Sequence, residues 1–145
     1  MYLNKPGQVD FVRAAQPPGS LGLQFDREAF LSAVLIFIVE VLIATVWSHH
    51  RLLRGFGGDA LAVVWVYFVF KTFITAPVWL LTLFSFLTAC LLEFGQYVAA
   101  VNHWHISHPI LRVVLGSVAD WSDVRAYAAG ALAVLLGGRL RAFLS

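Results

Sequence analysis

The residues of this chain best suited to chemistry are a carboxylate, an amide and a phenol near the end of an apolar run. Glu93, Gln96 and Tyr97 are spaced i, i+3 and i+4 in TLFSFLTACLLEFGQY, residues 82–97, so on a helix they share one face. Because a charge in hydrocarbon is costly, Glu93 is expected to face protein. There it can act as a general acid or base, or as a hydrogen-bonding centre. We predict that the other segments pack around this helix and supply partners for Glu93.

Further charged residues flank the other apolar segments. Arg54 lies in the glycine-rich stretch SHHRLLRGFGG, and its guanidinium suits a phosphate or carboxylate. Asp59, Asp120 and Asp123 stand where helices would begin, so capping explains them as well as ligand binding does. The predicted pocket gathers Arg54, Asp59, Glu93, Gln96, Tyr97, Asp120 and Asp123, with Glu93, Asp120 and Asp123 as candidate catalytic groups. The alternative is a set of salt-bridged caps that tie loops to helix ends.

The composition indicates an integral membrane protein. Apolar residues make up 60% of the 145 and charged residues 12%, and the mean hydropathy is +0.80. A soluble domain is about half apolar and a quarter charged. The formal charge of +2 is too small and scattered for a nucleic-acid partner. Cys90, the single cysteine, excludes an internal disulfide and is more typical of packing than of a reactive thiol. No cofactor is predicted.

Four apolar segments can each form a helix of roughly 20 residues, the length that crosses a bilayer. They cover about residues 29–47, 59–75, 77–101 and 123–141. Residues 1–28 are predicted to be a polar N-terminal arm, and residues 29–145 a single transmembrane domain. Residues 110–119 are apolar but too short to cross, which favours an interfacial or re-entrant segment. The expected fold is an all-α polytopic bundle.

Two charges lie inside the predicted spans, and one span carries a stripe of small residues. Glu40 is either a proton or cation site, or a protonated or Lys-paired packing residue. Lys71 either pairs with Glu40 or, as we favour, extends its amine to the interface. Ala129, Ala133 and Gly137 recur every four residues. Such a stripe lets two helices approach closely, including one from a second copy or a membrane protein partner.

Four spans place both termini on one side of the membrane. Basic residues in the arm and tail slightly outnumber those in or beside the opposite loops, so the positive-inside rule favours cytoplasmic termini. The predicted pocket and the histidines then lie at the outer face. Although the spacing of some histidines resembles that of metal ligands, all of them fall in loops, and we predict headgroup contacts and no metal site. They are His49, His50, His103, His105 and His108.

Four stretches of the chain carry a resemblance: IVEVLIA, LLRGFGGDALAVVWVYF, LLEFGQY and VVLGSVADWSDVRAYAAGAL. Together they resemble a family of small bacterial membrane proteins of unknown function whose layout is similar to the VanZ-like proteins. The most specific pieces are Arg54 with Gly58-Asp59, Glu93 with Gln96-Tyr97, and Gly116 with Asp120, Asp123, Tyr127 and Gly130. The first loop departs from the family, because His49-His50 stand where it has an acid and Gly55 replaces its proline. The resemblance implies a bacterial inner (cytoplasmic) membrane location, a binding role for Tyr127, and a link to glycopeptide (teicoplanin) resistance.

Three functions remain open at this point, and whether the chain is an enzyme is open with them. The first is a binder or modifier of an envelope lipid or lipid-linked precursor, with Arg54 on an anionic headgroup and Glu93 at the centre. The second is a proton-coupled small transporter that uses Glu40, Lys71 and Glu93. The third is a structural subunit that assembles through the small-residue stripe and polar caps.

Overall fold

The computed structural model describes residues 21–47, 49–50, 52–102 and 121–144. Within them the chain forms four long helices: α1 Arg27–Thr45, α2 Gly58–Phe73, α3 Val78–Val101 and α4 Trp121–Leu144. All four, α2 together with the turn before it, are long and apolar enough to cross a membrane. The predicted all-α fold is therefore confirmed, and the chain is a multi-pass membrane protein. The predicted segment at residues 110–119 lies outside the described residues.

One boundary differs clearly from its prediction. The glycine-rich sequence before Asp59 predicts a loop. In the structure, Leu53–Gly57 forms a π-helical turn that continues into α2, so the apolar helix begins at Leu53. Gly57 and Gly58 adopt ordinary right-handed helical angles. Glycine permits a turn without requiring one. The glycines here therefore do not interrupt the helix.

The last described residues of the predicted arm are tied to the bundle. Strand β1, Gly22–Leu23, pairs antiparallel with β2, Ile74–Thr75, which follows α2 directly. The backbone N–H groups of Gln24 and Asp26 donate to the carbonyls of Phe73 and Thr72, both at 2.9 Å. These bonds fix the start of α1 beside the end of α2.

Asp26 caps α1, and its removal should weaken the protein. Its Oδ1 accepts the N–H groups of Glu28 and Ala29 at 3.0 and 3.1 Å. Because Asp26→Ala leaves these donors without the cap, we expect a loss of about 1 kcal/mol in unfolding free energy, measured by thermal unfolding in detergent micelles. Ser32→Ala is the control, since that hydroxyl donates only to the Glu28 carbonyl of its own helix. Equal effects of the two substitutions would contradict the capping role.

The four helices alternate in direction. Asp26 meets Thr72 at one end of α1 and α2, Gly130 of α4 lies against Ala60 of α2, and Gly138 of α4 lies against Val78 of α3. The start of α1, the end of α2, the start of α3 and the end of α4 thus share one end of the bundle, which we call the Asp26 end. The opposite end, which holds the last turns of α3, is the Glu93 end.

Helix α2 is the central element, because it contacts all three other helices, whereas α3 packs on α2 and α4. No residue from Gly58 to Thr72 is exposed. By contrast, α1, α3 and α4 turn large apolar side chains outward, among them Leu35, Leu91 and Leu140, as helices facing lipid do. The prediction that the other segments pack around the Glu93 helix was therefore wrong. The central helix is α2, which the other three helices cover on all sides.

Candidate functional site

Glu93 is held by the most regular stripe in the bundle. Leu81, Ser85, Ala89 and Glu93 recur every fourth residue of α3, and all are buried, with Glu93 only 7% exposed. Side chains at this spacing lie on one face of a helix. Ala89 belongs to the core formed with Val63 and Tyr127. The packing that buries the stripe therefore also draws the carboxylate into the bundle.

Tyr127 of α4 is a partner of that carboxylate. Its hydroxyl donates to Glu93 Oε2 at 3.3 Å, and the tyrosine is 8% exposed. The hydroxyl also interacts electrostatically with the carboxylates of Asp59 and Asp123. Asp123 in turn accepts from the Ser122 hydroxyl at 3.3 Å. At the Glu93 end, the tyrosine of α4 is therefore bonded to Glu93 of α3, and Asp59 of α2 and Asp123 of α4 lie near enough to act on its hydroxyl.

The other predicted pocket residues take different positions. Gln96 is half-buried one turn beyond Glu93, and Tyr97 is 50% exposed. Arg54 is exposed on the π-helical turn, with no ion pair within the described ranges. Asp120 lies outside the described residues. The structure thus brings Asp59, Glu93, Asp123 and Tyr127 together and leaves Arg54 at the rim of the same end.

Glu40 occupies the packing face of α1. That face comprises Ala29, Ala33, Ile36, Glu40 and Ile43. These residues recur every three or four positions, as on a helix face that packs against another helix. Within the described part of the chain, the buried Oε1 atom of Glu40 has no hydrogen-bond partner. A helix rises about 1.5 Å per residue. Glu40 therefore lies roughly 20 Å along the bundle from the contact of Asp26 with Thr72, level with Asp59.

Lys71 lies at the other end of the bundle from Glu40. Its amine sits 5.9 Å above the Phe68 ring, and its carbonyl accepts from the Gln24 side chain. Because the neighbouring Thr72 meets Asp26, Lys71 is too far along the bundle to be the counter-ion of Glu40. Of the two interpretations of Lys71, this position fits an amine directed towards the interface.

The small-residue stripe is not where the helices come closest. Ala133 and Gly137 are exposed and Ala129 is half-buried, whereas a Cβ added at Gly130 would overlap the Ala60 carbonyl oxygen. The sequence offered a signal for this face: Asp123, Tyr127 and Gly130 are spaced i, i+4 and i+7. That spacing marks the α4 surface that carries the site and meets α2. A partner helix at Ala129, Ala133 and Gly137 stays a prediction.

The histidines divide between described and undescribed residues. His49 and His50 are exposed beside the end of α1, and His103, His105 and His108 lie outside the described ranges. Within the described residues, no group of three or more His, Cys, Asp or Glu side chains has an arrangement able to hold a metal ion.

Comparison with known proteins identifies a family. The sequence pattern of the family described as "Protein of unknown function (DUF2809)" matches residues 48–131, more than half of the chain. The chain belongs to this family. No curated protein and no solved structure matches significantly, and no match to a VanZ-like protein accompanies the family match.

The family match includes some of the candidate functional residues of this DUF2809 protein and leaves others out. The matched residues cover α2, α3 and the first part of α4. They include Asp59, Glu93, Asp123 and Tyr127, and they begin after Glu40 and end before Gly137 and Arg141. The cluster around Tyr127 therefore lies inside the DUF2809 region.

Proposed function

We propose that the chain binds the headgroup of an envelope lipid or a lipid-linked envelope precursor at the Glu93 end. The observation that carries this proposal is the hydrogen bond between the buried Tyr127 hydroxyl and the buried Glu93 carboxylate, at the end of the bundle where Asp59 and Asp123 lie in the first turns of their helices. Acids are costly within a membrane-spanning bundle and usually mark a functional site there. The VanZ-like resemblance and its link to glycopeptide resistance point to the same class of ligand, at the outer face of a bacterial inner membrane.

The charges of the site define which ligand groups fit it. Carboxylates accept hydrogen bonds and attract cations, so the Glu93 cluster favours hydroxyl or amine groups over phosphate. Arg54, exposed on the turn beside it, supplies the complementary contact for a phosphate. A lipid-linked precursor with a sugar or amine beyond its phosphate carries both kinds of group. Glu93, hydrogen-bonded by Tyr127, is also placed to exchange a proton with such a headgroup.

A shallow, open apolar cavity lies at the turn that carries Arg54. It has a volume of about 540 Å³ and is lined by residues from the end of α1 and the π-helical turn, including Trp47, Leu53 and Phe56. Ligand pockets of this size combine apolar walls with a few polar groups. In the proposal this cavity receives the first part of the hydrocarbon chain, while the headgroup reaches towards Glu93.

Glu93→Gln tests the site directly. The substitution removes the charge and keeps the size of the side chain, and the loss of a charged hydrogen bond corresponds to roughly 10- to 100-fold weaker binding. We expect the variant to fold, to retain less envelope lipid when purified from membranes, and to lose any glycopeptide-resistance phenotype. Co-purified lipids are measured by mass spectrometry, and susceptibility is measured by growth assays.

Glu28→Gln is the matched control for that experiment. Glu28 carries the same group at the Asp26 end, where its side chain is 86% exposed. It should leave the phenotype and the retention of the lipid bound at the Glu93 end unchanged. The proposal fails if Glu93→Gln gives the same retention and phenotype as Glu28→Gln.

The buried oxygen of Glu40, which has no hydrogen-bond partner among the described residues, favours a second candidate, a proton-coupled carrier. Its path would run from Glu40 past Asp59 to Glu93 and would not include Lys71. In vesicles containing the purified protein and a pH-sensitive dye, wild type should conduct protons, and Glu40→Gln should reduce the rate at least about tenfold if it removes the transferring group. Lys71→Gln should leave the rate unchanged. Equal proton flux in wild-type and protein-free vesicles would exclude this candidate.

A further inference from the structure

A second cavity lies between α2 and α4, near the Asp26 end. Its volume is about 340 Å³, and we call it the α2–α4 groove. Three apolar residues that line it are Val64, Phe68 and Val134. Gly137 also lines it, and a Cβ added there would meet no atom within 4 Å. The groove is therefore open space beside an exposed glycine.

Two cations line the groove from opposite helices. Lys71 belongs to α2 and Arg141 to α4, and none of the described residues that line the groove is an acid. Arg141 lines the groove together with the buried Tyr67. Two positive charges on one cavity repel each other, and an anion between them would convert this repulsion into attraction.

The ion pair of Arg141 leaves it available for such an anion. Its Nη2 lies 3.8 Å from Glu28 Oε2, and the two side chains are 76% and 86% exposed. Ion pairs this exposed contribute little to stability. Arg141 can therefore exchange Glu28 for a phosphate, which a guanidinium binds through two parallel hydrogen bonds.

The groove residues lie at depths that suit a phospholipid, with the cations at the level of its phosphate and the apolar residues at the level of its acyl chains. Lys71 and Arg141 lie within about a turn of the ends of α2 and α4, at the level of a membrane interface. Val64 lies seven residues before Lys71, or about 10 Å deeper at 1.5 Å per residue. The groove thus runs from a cationic mouth to an apolar interior.

The whole Asp26 end has an excess of positive charge among its described residues. It contains Arg27, Lys71, Arg139 and Arg141 against Asp26 and Glu28. The acids of the functional site lie at the other end. Clusters of basic residues at a membrane interface attract anionic lipids.

We propose that the α2–α4 groove binds one anionic phospholipid, with its phosphate between Lys71 and Arg141 and an acyl chain along Val64, Phe68 and Val134. This site lies at the opposite end of the bundle from Glu93, and it does not depend on the function proposed for that end. Its ligand is a bilayer lipid, not the envelope precursor. The occupants it excludes are a zwitterionic lipid, a free phosphate ion and a helix of a second copy at Ala133 and Gly137.

Native mass spectrometry of the full chain from nanodiscs tests this site. One nanodisc preparation mixes phosphatidylglycerol and phosphatidylcholine in equal amounts, and another contains phosphatidylcholine alone with added glycerol phosphate. We expect retention of one phosphatidylglycerol molecule, in preference to phosphatidylcholine, and no retention of glycerol phosphate. Each cation near an anionic lipid changes affinity about fivefold, so Lys71→Gln and Arg141→Gln should each lower retention by about that factor, and the double variant by about 25-fold.

Two further variants keep the test decisive if the double variant does not fold. Arg139→Gln removes an exposed charge from the same helix outside the groove, and it should change retention less than twofold. Gly137→Leu keeps both cations but fills the groove, and it should lower retention about as much as the loss of one cation. The proposal is overturned if both lipids are retained equally, if Arg139→Gln acts as strongly as Arg141→Gln, if glycerol phosphate is retained, or if the protein appears as a dimer that Gly137→Leu dissociates.

Discussion

Replacing Gly130 with alanine is expected to destabilise the protein by about 3 kcal/mol, near the upper end of what an added methyl costs in a packed interior. The new Cβ would overlap the carbonyl oxygen of Ala60 and lie 3.0 Å from its carbonyl carbon. Both are backbone atoms inside α2, so no side-chain rotation relieves the clash. Only a separation of α2 and α4 does, and that separation also disturbs the contact of Val63 with Tyr127. Thermal unfolding in detergent, with the yield of folded protein, measures the effect.

Gly137→Ala provides the matched control for Gly130→Ala. Both glycines lie in α4, but a Cβ at Gly137 meets no atom within 4 Å. An alanine in a helix is favoured over glycine by up to about 1 kcal/mol. Gly137→Ala should therefore be neutral or slightly stabilising. Equal stability of the two variants would show that α2 and α4 do not approach each other closely at Gly130.

The convergence of the site could be predicted from the sequence because helix direction alternates in an up-and-down bundle. Asp59 begins one span, Glu93 lies late in the next, and Asp123 begins the last. Because the four helices alternate in direction, all three residues lie at the same end of the bundle. The sequence also indicated that an acid as deep in an apolar run as Glu93 faces other helices.

The packing order could not be predicted in the same way. In a membrane, the side chains that face lipid are as apolar as those that face the core, so the four spans look alike in sequence. Nothing in the composition of α2 distinguishes it from α3, yet α2 contacts all three other helices. For the same reason the sequence favours the regular stripe Ala129, Ala133 and Gly137 as a contact face, whereas the closest approach at a described glycine lies at Gly130.

The polar residues inside the spans show how depth decides pairing. Glu40 and Lys71 are both isolated charges in apolar runs, and either could have been the partner of the other. Their helices are antiparallel, and Lys71 lies at the end where Asp26 meets Thr72. Glu40 lies at the depth of Asp59. The sequence places residues along a helix accurately, but pairing depends on the relative offset of neighbouring helices, which here is fixed by β1, β2 and the bonds of Asp26.

The second large effect is expected at Glu93, where Glu93→Ala should lower the unfolding free energy by about 3 kcal/mol. The substitution takes an acceptor from the buried Tyr127 hydroxyl and leaves a cavity in the stripe that ends at Glu93. Tyr127→Phe should cost about 1 kcal/mol, since it removes the hydroxyl itself. The double variant should be more stable than the sum of the single losses predicts, with a coupling of roughly 1 kcal/mol. Denaturant unfolding in micelles measures the cycle, and a coupling of zero would mean that the hydrogen bond does not contribute to stability.

The comparison of Glu93→Ala with Glu93→Gln separates a structural role of this residue from a functional one. The amide oxygen introduced by Glu93→Gln can still accept from Tyr127, so the stability loss should be well below that of Glu93→Ala. The charge that attracts a hydroxyl or amine headgroup is removed by both substitutions. If Glu93 serves only packing, lipid retention will follow stability across the two variants. If it is the binding centre, Glu93→Gln will lose the ligand while the bundle remains folded, because binding depends on the charge and folding depends on the acceptor.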